Sequence, residues 1–225
     1  MQQRATTGEL VAKLRHRQQI GHSDWVIDIA LGTPAAEPKA PDGEEAIRWT
    51  EPALIQVAIE LKSIWTEHGK ARKNRLRDFN AFAGHAHEYS RRTVAAAFLV
   101  VNASEYFLSP LNANRGEALT QHGRPRRTAG QLAKETIDLF RSIHIRDDET
   151  DAPGLEGIGV VVIEHDNIAA LANQPTLQSV ARRYEDRARV TRVAPSPPSL
   201  KVGDPLHYST MIQRICAAYT ARFGR

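Results

Sequence analysis

The sequence has a single cysteine, Cys216, among its 225 residues. One thiol excludes disulfides within the chain and zinc sites built from several thiolates. Cys216 lies in an apolar stripe with helical spacing, which predicts an inert, buried thiol. A bound metal ion would therefore need oxygen or imidazole ligands.

The chain also lacks a long hydrophobic run and a large excess of charge of one sign. No run of about 18 apolar residues is present, and the polar start MQQRATTGEL has no apolar segment followed by a cleavage site. These absences argue against a membrane span and a secretory signal, and we expect a cytoplasmic protein. The 30 Lys and Arg against 26 Asp and Glu give a net charge of +4, which by itself does not indicate a polyanionic partner.

The composition is that of an ordinary globular protein, with 41% hydrophobic and 25% charged residues. The length predicts one domain over residues 1–225 with one sizeable core. The stretch 33–52 is rich in proline and acidic residues, which predicts a mobile loop that orders, if at all, only on binding. The proline-rich stretch 194–205 predicts a connection between two elements.

Hydrophobic periodicity predicts the order of helices and strands. Alternating or continuous apolar residues predict strands at 25–31, 54–64, 93–102 and 158–163. Helical spacing predicts helices at 6–20, 76–89, 132–143, 176–189 and 211–223. The repeated order of strand, helix and strand indicates crossovers between parallel strands. The predicted fold class is α/β, with a mixed central β-sheet flanked by helices.

One pair of charged residues stands out in the strand at 54–64. Glu60 and Lys62 are two positions apart, so they share one face about 6 to 7 Å apart, while Leu61 turns into the opposite layer. Asp28, in an earlier strand, adds a second carboxylate if the two strands are neighbours. Two carboxylates suit Mg²⁺, and a lysine beside them could stabilise charge on a reacting phosphate. This combination predicts phosphodiester hydrolysis.

Here the sequence resembles the PD-(D/E)xK nuclease superfamily, whose minimal motif is an acidic residue on one strand and an acidic-x-Lys triplet on the next. Asp28, Glu60 and Lys62 fit these three positions, and the similarity covers roughly residues 6–104. The sequence departs from the motif at Ile27, which stands where the motif has proline, and in the long loop between Asp28 and Glu60. The resemblance implies a restriction-endonuclease-like fold and Mg²⁺-dependent cleavage of double-stranded DNA. It also implies a type II restriction enzyme or related defence nuclease, acting as a homodimer.

Two groups of basic residues are candidates for DNA contact. The first follows the strand of Glu60 and has five basic residues with no acid between them, and the second lies in a polar loop. Cationic side chains in such groups bind backbone phosphates, and arginine can also bind guanine. The predicted DNA-binding residues are Lys70, Arg72, Lys73, Arg75, Arg77, Arg124, Arg126 and Arg127.

Several alternatives remain open at this point. Glu60 and Lys62 could form an ordinary ion pair in a noncatalytic nucleic-acid-binding module. A repair or structure-selective nuclease on the same scaffold would cut at a lesion, mismatch or junction. Glu9 fits a capping box with Thr6 better than a metal site, and whether Glu9 or Glu67 adds a metal ligand is open. The acidic stretch 147–151 is typical of a solvated turn, and His85 and His87 are weak zinc candidates.

Overall fold

A seven-stranded mixed sheet forms the centre of the fold. The computed structural model describes residues 1–37, 47–65, 68–104, 107, 128–166, 191–195 and 197–224. The strands are β1 (Val11–Ile20), β2 (Ser23–Pro34), β3 (Arg48–Trp49), β4 (Pro52–Ile64), β5 (Val94–Asn102), β6 (Gly157–His165) and β7 (Thr191–Val193). They lie in the order β3-β1-β2-β4-β5-β6-β7. Strands β4, β5 and β6 are parallel, whereas β2 and β7 pair antiparallel with their neighbours.

Helices cover both faces of this sheet. They are α1 (Gln2–Thr7), α2 (His68–Tyr89), α3 (Ala129–Phe140) and α4 (Tyr208–Phe223). Phe79 of α2 and Phe140 of α3 meet edge to face at 5.7 Å in the larger core, which also contains Ala97 and Leu99 of β5. On the other face, α4 packs on β4 and β5. The predicted α/β class, with a mixed sheet flanked by helices, is confirmed.

Two glycines of β6 determine how closely α4 approaches the sheet. A Cβ atom at Gly157 would lie 3.1 Å from the carbonyl oxygen of Met211, and one at Gly159 would lie 3.0 Å from the Met211 sulfur. Both distances are too short for ordinary packing of a side chain between the helix and the strand. Glycine at these positions therefore lets α4 lie directly on β6.

The prediction of a helix over residues 6–20 is wrong. Gly8, with φ of 82°, ends α1 after six residues, and the chain continues as β1. A turn at Gly21, with φ of 54°, then leads into β2, so β1 and β2 form an antiparallel hairpin. The apparent helical stripe depended on a few apolar residues, of which Leu14 is 53% exposed. Pairing with β2 satisfies the backbone of this segment and outweighs that weak local preference.

The expected capping box is also wrong. Thr6 donates its hydroxyl to the carbonyl oxygen of Gln2, and Glu9 lies beyond the end of α1, where it pairs with Arg4 at 3.3 Å. A capping box needs both residues at the start of a helix. Here Thr6 lies in the last turn of α1, and Glu9 lies beyond the helix.

The expectation of a buried thiol in the last helix is wrong as well. Cys216 is exposed on α4. The helix buries Met211, Ile215 and Tyr219, which recur every four residues, and Cys216 lies one residue beyond this stripe. A step of one residue rotates the side chain by about 100° around the helix axis, so Cys216 faces away from the sheet.

Other predicted segments have different limits. The predicted loop 33–52 is shorter, because β2 extends to Pro34 and β3 lies within it; its residues 38–46 are outside the described part of the chain. The predicted helix 176–189 also lies outside the described residues. Residues 194–205 connect β7 to the start of α4. In the described ranges, no helix is long and apolar enough to cross a membrane.

A network of buried charges joins the amino ends of β5 and β6. Glu156, 1% exposed, accepts hydrogen bonds from the Ala95 amide at 2.6 Å and from Arg146 at 3.1 Å. Arg222 of α4 lies 2.7 Å from the same carboxylate. Burial raises the pKa of Glu156, whereas the two guanidinium groups lower it. The pairing and the hydrogen bonds offset the cost of burying these charges.

His87 of α2 completes this network as a neutral ring. Its Nδ1 atom lies 2.6 Å from Arg146 Nη1, and its Nε2 atom lies 2.8 Å from the carbonyl oxygen of Gly154. A guanidinium only donates and a carbonyl only accepts, so the single proton of His87 is on Nε2. Burial, with a contribution from the charge of Arg146, lowers the pKa of His87 to about 4.

We predict that His87 makes the protein less stable in mild acid. A histidine in the unfolded chain has a pKa of 6.5, so between pH 6.5 and about pH 4 the unfolded state binds the extra proton. Lowering the pH through this window should cost about 3 kcal/mol of unfolding free energy through His87. Urea unfolding at several pH values should show that acid lowers the free energy of unfolding less for His87→Gln than for the wild type. His85→Gln, two residues earlier, is the control, and an unchanged slope in His87→Gln would contradict the prediction.

Candidate functional site

Asp28 lies where the pairing between β2 and β4 stops. The two strands pair from Pro34 and Pro52 as far as Ile29 and Ile59, and the next step would place Asp28 opposite Glu60. At this point the Asp28 side chain takes the place of a backbone carbonyl as hydrogen-bond acceptor. Its Oδ2 atom accepts a hydrogen bond from the Leu61 amide at 2.7 Å. Opposed residues of an antiparallel pair have neighbouring side chains. The expectation that the strands of Asp28 and Glu60 are neighbours is confirmed.

The backbone changes direction at this position. Ile27 and Ala30 both lie in the core under α2, although strict alternation would place them on opposite faces. The β1–β2 register likewise has no pair between Arg15 and Asp28, and Arg15 has a φ of 51°. A non-glycine residue with positive φ is strained, and such strain persists only where surrounding contacts impose it. The irregularity in both strands frees the Asp28 carboxylate to bond to β4.

Glu60 and Lys62 share the face of β4 that lies under α2. Ala58 and Ile64, on the same face, belong to the core beneath that helix. Glu60 is 8% exposed and forms an ion pair with Lys62. Leu61 turns to the other face as expected, but it is 41% exposed and not buried in an apolar layer. The reason is that α4 packs on β4 nearer its amino end, at Val57.

The electrostatics of Glu60 reflect three competing influences. Burial is the largest and raises the pKa of its carboxyl group, because the charged form loses hydration. The Lys62 ammonium lowers this pKa, and the neighbouring Asp28 carboxylate raises it. Glu60 thus has one cation, Lys62, and one further carboxylate, Asp28, beside it. An additional cation at this place would be attracted by the remaining negative charge.

The donor atoms at this place fit a hard divalent cation. Mg²⁺ is commonly held by one or two carboxylates, with water and phosphate oxygens completing its coordination. Asp28 and Glu60 supply two such carboxylates. Neither here nor elsewhere in the described ranges is a group of three or more His, Cys, Asp or Glu side chains placed to hold a metal ion, so the protein would supply two ligands.

The first basic group lies within α2 and not before it. Arg72 pairs with Glu135 of α3 at 2.7 Å, and Arg75 pairs with Asp78 at 2.9 Å. Lys70 and Lys73 are exposed, and neither has an ion pair with another residue in the described ranges. These two lysines are therefore the cations of this group that are most available to a ligand. Of the other predicted DNA-binding residues, Arg77 is exposed and contacts Asn74, while Arg124, Arg126 and Arg127 lie outside the described residues.

The remaining acidic candidates are not brought to the site. Glu9 follows α1, which packs on the face of α4, whereas Glu60 faces α2. Glu67 lies outside the described residues. Asp148 is exposed and Asp151 is partly exposed, and both accept hydrogen bonds within their own turn. Those hydrogen bonds lower the pKa of both groups, as expected for a solvated turn.

Sequence reasoning missed an aromatic cluster at the carboxyl ends of the parallel strands. Trp65 directly follows β4, and its ring stacks on Phe107 at 5.3 Å. His165, the last residue of β6, lies edge-on to Trp65 at 5.4 Å. The position of Trp65 three residues after Lys62 was a visible signal, but its partners come from distant parts of the chain.

Comparison with known proteins adds no relative to these observations. No protein-family model, curated protein or solved structure matches this chain.

We predict that Lys62 holds down the pKa of the buried Glu60 carboxyl group. Lys62→Met removes the ammonium but keeps most of the apolar stem, so the pKa of Glu60 should rise further above its ordinary value. A carbon-13 NMR titration of the Glu60 carboxyl group measures this shift. Lys134→Met, which removes a lysine paired with Asp138 on α3, is the control. If both variants titrate like the wild type, Lys62 does not govern the charge of Glu60.

Proposed function

We propose that this protein is a Mg²⁺-dependent endonuclease that hydrolyses phosphodiester bonds in double-stranded DNA. The observation that supports the proposal is the convergence of Asp28, Glu60 and Lys62 at the point where β2 and β4 stop pairing. Hydrolysis of a phosphodiester requires stabilisation of negative charge on the phosphate and activation of a water molecule. The three side chains can contribute to both requirements.

Each residue has a distinct role in this proposal. Asp28 and Glu60 would hold Mg²⁺, and the Leu61 amide orients the Asp28 carboxylate. When bound, the ion supplies Lewis-acid stabilisation of the phosphate and lowers the pKa of a water ligand. Lys62 places its ammonium group beside the phosphate, where it offsets the charge that develops as the bond to water forms.

The placement of α2 supports DNA as the substrate. This helix begins four residues after β4 ends, so its first turns lie near the carboxyl end of the strand that carries Glu60 and Lys62. The exposed Lys70 and Lys73 lie in those turns, where they can bind backbone phosphates. Within this class we propose a cytoplasmic type II restriction enzyme or related defence nuclease. Such an enzyme would act as a homodimer, because two-fold symmetry matches a palindromic site.

Incubation with plasmid DNA tests the proposal directly. The purified protein should convert supercoiled plasmid to nicked and linear forms with Mg²⁺ and leave it intact with EDTA. Discrete fragments would indicate cleavage at a defined sequence. Intact DNA at all Mg²⁺ concentrations, with retained DNA binding, would instead support the noncatalytic nucleic-acid-binding module.

We predict that Lys62→Ala lowers the single-turnover cleavage rate by about 10² to 10³ with little change in DNA affinity. This magnitude is that of removing one group positioned on developing charge in the transition state. The cleavage rate of Glu60→Gln should instead be partly restored by a higher Mg²⁺ concentration, because this substitution removes a metal ligand. Lys134→Ala, on an exposed face of α3, serves as the control variant. Thermal unfolding must show that the variants are folded, and parental cleavage by a folded Lys62→Ala protein would exclude the proposed role.

We predict that Lys70 and Lys73 contact DNA phosphates. Replacing both with alanine should weaken DNA binding across sequences and reduce the slope of log affinity against log salt concentration by up to about two. Fluorescence anisotropy at several salt concentrations measures this slope. Replacing Arg72, which pairs with Glu135, with alanine should have a smaller effect on it. An unchanged slope in the double variant would remove both lysines from the DNA-binding surface.

A further inference from the structure

The aromatic cluster of Trp65, Phe107 and His165 has no role in the cleavage chemistry described above. The Trp65 and Phe107 rings are nearly parallel, with an angle of 22° between their planes. His165 lies 5.7 Å from Phe107 and 5.4 Å from Trp65, so each ring contacts the other two. Because β4, β5 and β6 are parallel, their carboxyl ends form one edge of the sheet. The cluster therefore lies at the edge towards which β4 runs from Glu60 and Lys62.

Trp65 is held firmly and yet accessible. One face of the Trp65 ring packs against Phe107. His165 is held in place by a hydrogen bond of 2.8 Å between its Nδ1 atom and the Thr191 hydroxyl. The residue nevertheless keeps 36% of its surface exposed. An aromatic ring that is already oriented loses little conformational entropy when a second flat group stacks on it.

The spacing between Trp65 and Lys62 matches that of nucleotides along a DNA strand. Trp65 directly follows β4 three residues after Lys62, and three residues of extended chain correspond to about 10 Å between their Cα atoms. The odd spacing turns the two side chains to opposite faces, so a DNA strand that contacts both crosses the carboxyl end of the sheet. Stacked nucleotides are about 3.4 Å apart along one strand, so three of them span a similar distance. A base within about three nucleotides of a phosphate at Lys62 can therefore reach Trp65.

The neighbouring charges favour a nucleic acid as the occupant. Lys70 and Lys73 follow Trp65 closely in the chain and are exposed, with no ion pair in the part of the chain that the structure describes. Aromatic rings beside exposed cations are the common means of binding unpaired nucleotides, because every base has a flat face and every nucleotide a phosphate. In an intact duplex the faces of the bases are already stacked on each other. A tryptophan can stack on a base only after that base has been unstacked from a neighbour, which is easiest where the base is unpaired.

We infer that Trp65 stacks on an unpaired base of the DNA close to the scissile phosphate. The substrate class is then duplex DNA with an extruded, mismatched or single-stranded base beside the cleavage position. Phe107 and His165 act as positioning residues that orient the Trp65 ring. The location of the scissile phosphate rests on the proposed function, whereas the stacking contact is measurable without cleavage.

A binding experiment in EDTA tests the stacking contact. Two fluorescent duplexes of the same sequence are compared by anisotropy, one fully paired and one with a bulge of unpaired bases. The wild type should prefer the bulged duplex, and Trp65→Ala should lose about 5- to 100-fold in affinity for it, with little change for the paired duplex. Trp65→Phe, which keeps a ring, should retain most of the preference. Trp49→Ala is the matched control, since Trp49 is 50% exposed but lies on the edge strand β3.

Three outcomes would overturn the inference. These are equal wild-type affinity for the two duplexes, equal losses in Trp65→Ala and Trp49→Ala, and a Trp65→Ala loss that is the same for both duplexes. Circular dichroism and thermal unfolding establish that each variant is folded. Cleavage of fully paired DNA that depends on Lys62 but not on Trp65 would leave the proposed function standing and exclude a stacked base beside the scissile phosphate. A Trp65-dependent preference for the bulged duplex, without any cleavage, would support the stacking contact and exclude the proposed function.

Discussion

The hydrogen bond from the Leu61 amide to the Asp28 carboxylate is the contact on which the candidate site depends. A backbone amide in the interior of a sheet normally pairs with a carbonyl of the next strand, and leaving it unpaired is costly. Asp28 satisfies this amide with its side chain at the point where the strand pairing ends. The same contact brings its carboxylate next to Glu60. One hydrogen bond thus both closes the end of the β2–β4 pairing and assembles two acids.

The surroundings of Glu60 and Lys62 argue for a role beyond stability. The residues beside them in β5, Ala97 and Leu99, are fully buried and apolar, and Ile64 on their own strand is as well. A buried ion pair seldom stabilises a protein more than apolar side chains of similar volume would. Charged residues that interrupt an otherwise apolar face are more often found where function requires them. The second carboxylate, Asp28, strengthens this argument because it adds unbalanced negative charge.

The two ends of the parallel strands differ in how their charges are satisfied. At the amino ends, Glu156 is bound by Arg146 and Arg222, and His87 is neutral, so the groups partner one another within the protein. At the carboxyl ends, Trp65 is accessible and the nearby lysines of α2 are exposed. The first arrangement holds the chain together. The second leaves charge and aromatic surface available to a ligand, which is why the proposed function is placed there.

The sequence alone determined the central strands, the long helices and the placement of Glu60 and Lys62 on one face, because each depends on a periodicity within one short segment. It suggested that Asp28 would join them, but only the tertiary structure placed β2 beside β4 and let the Asp28 side chain bind the Leu61 amide. The hairpin of β1 and β2 was hidden, since three apolar residues imitated a helix and strand pairing overrode that pattern. The ion pair of Arg72 could not be predicted for the same reason, because its partner Glu135 is 63 residues away in the chain. Contacts between distant segments depend on the packing of the whole chain, and no local pattern encodes them.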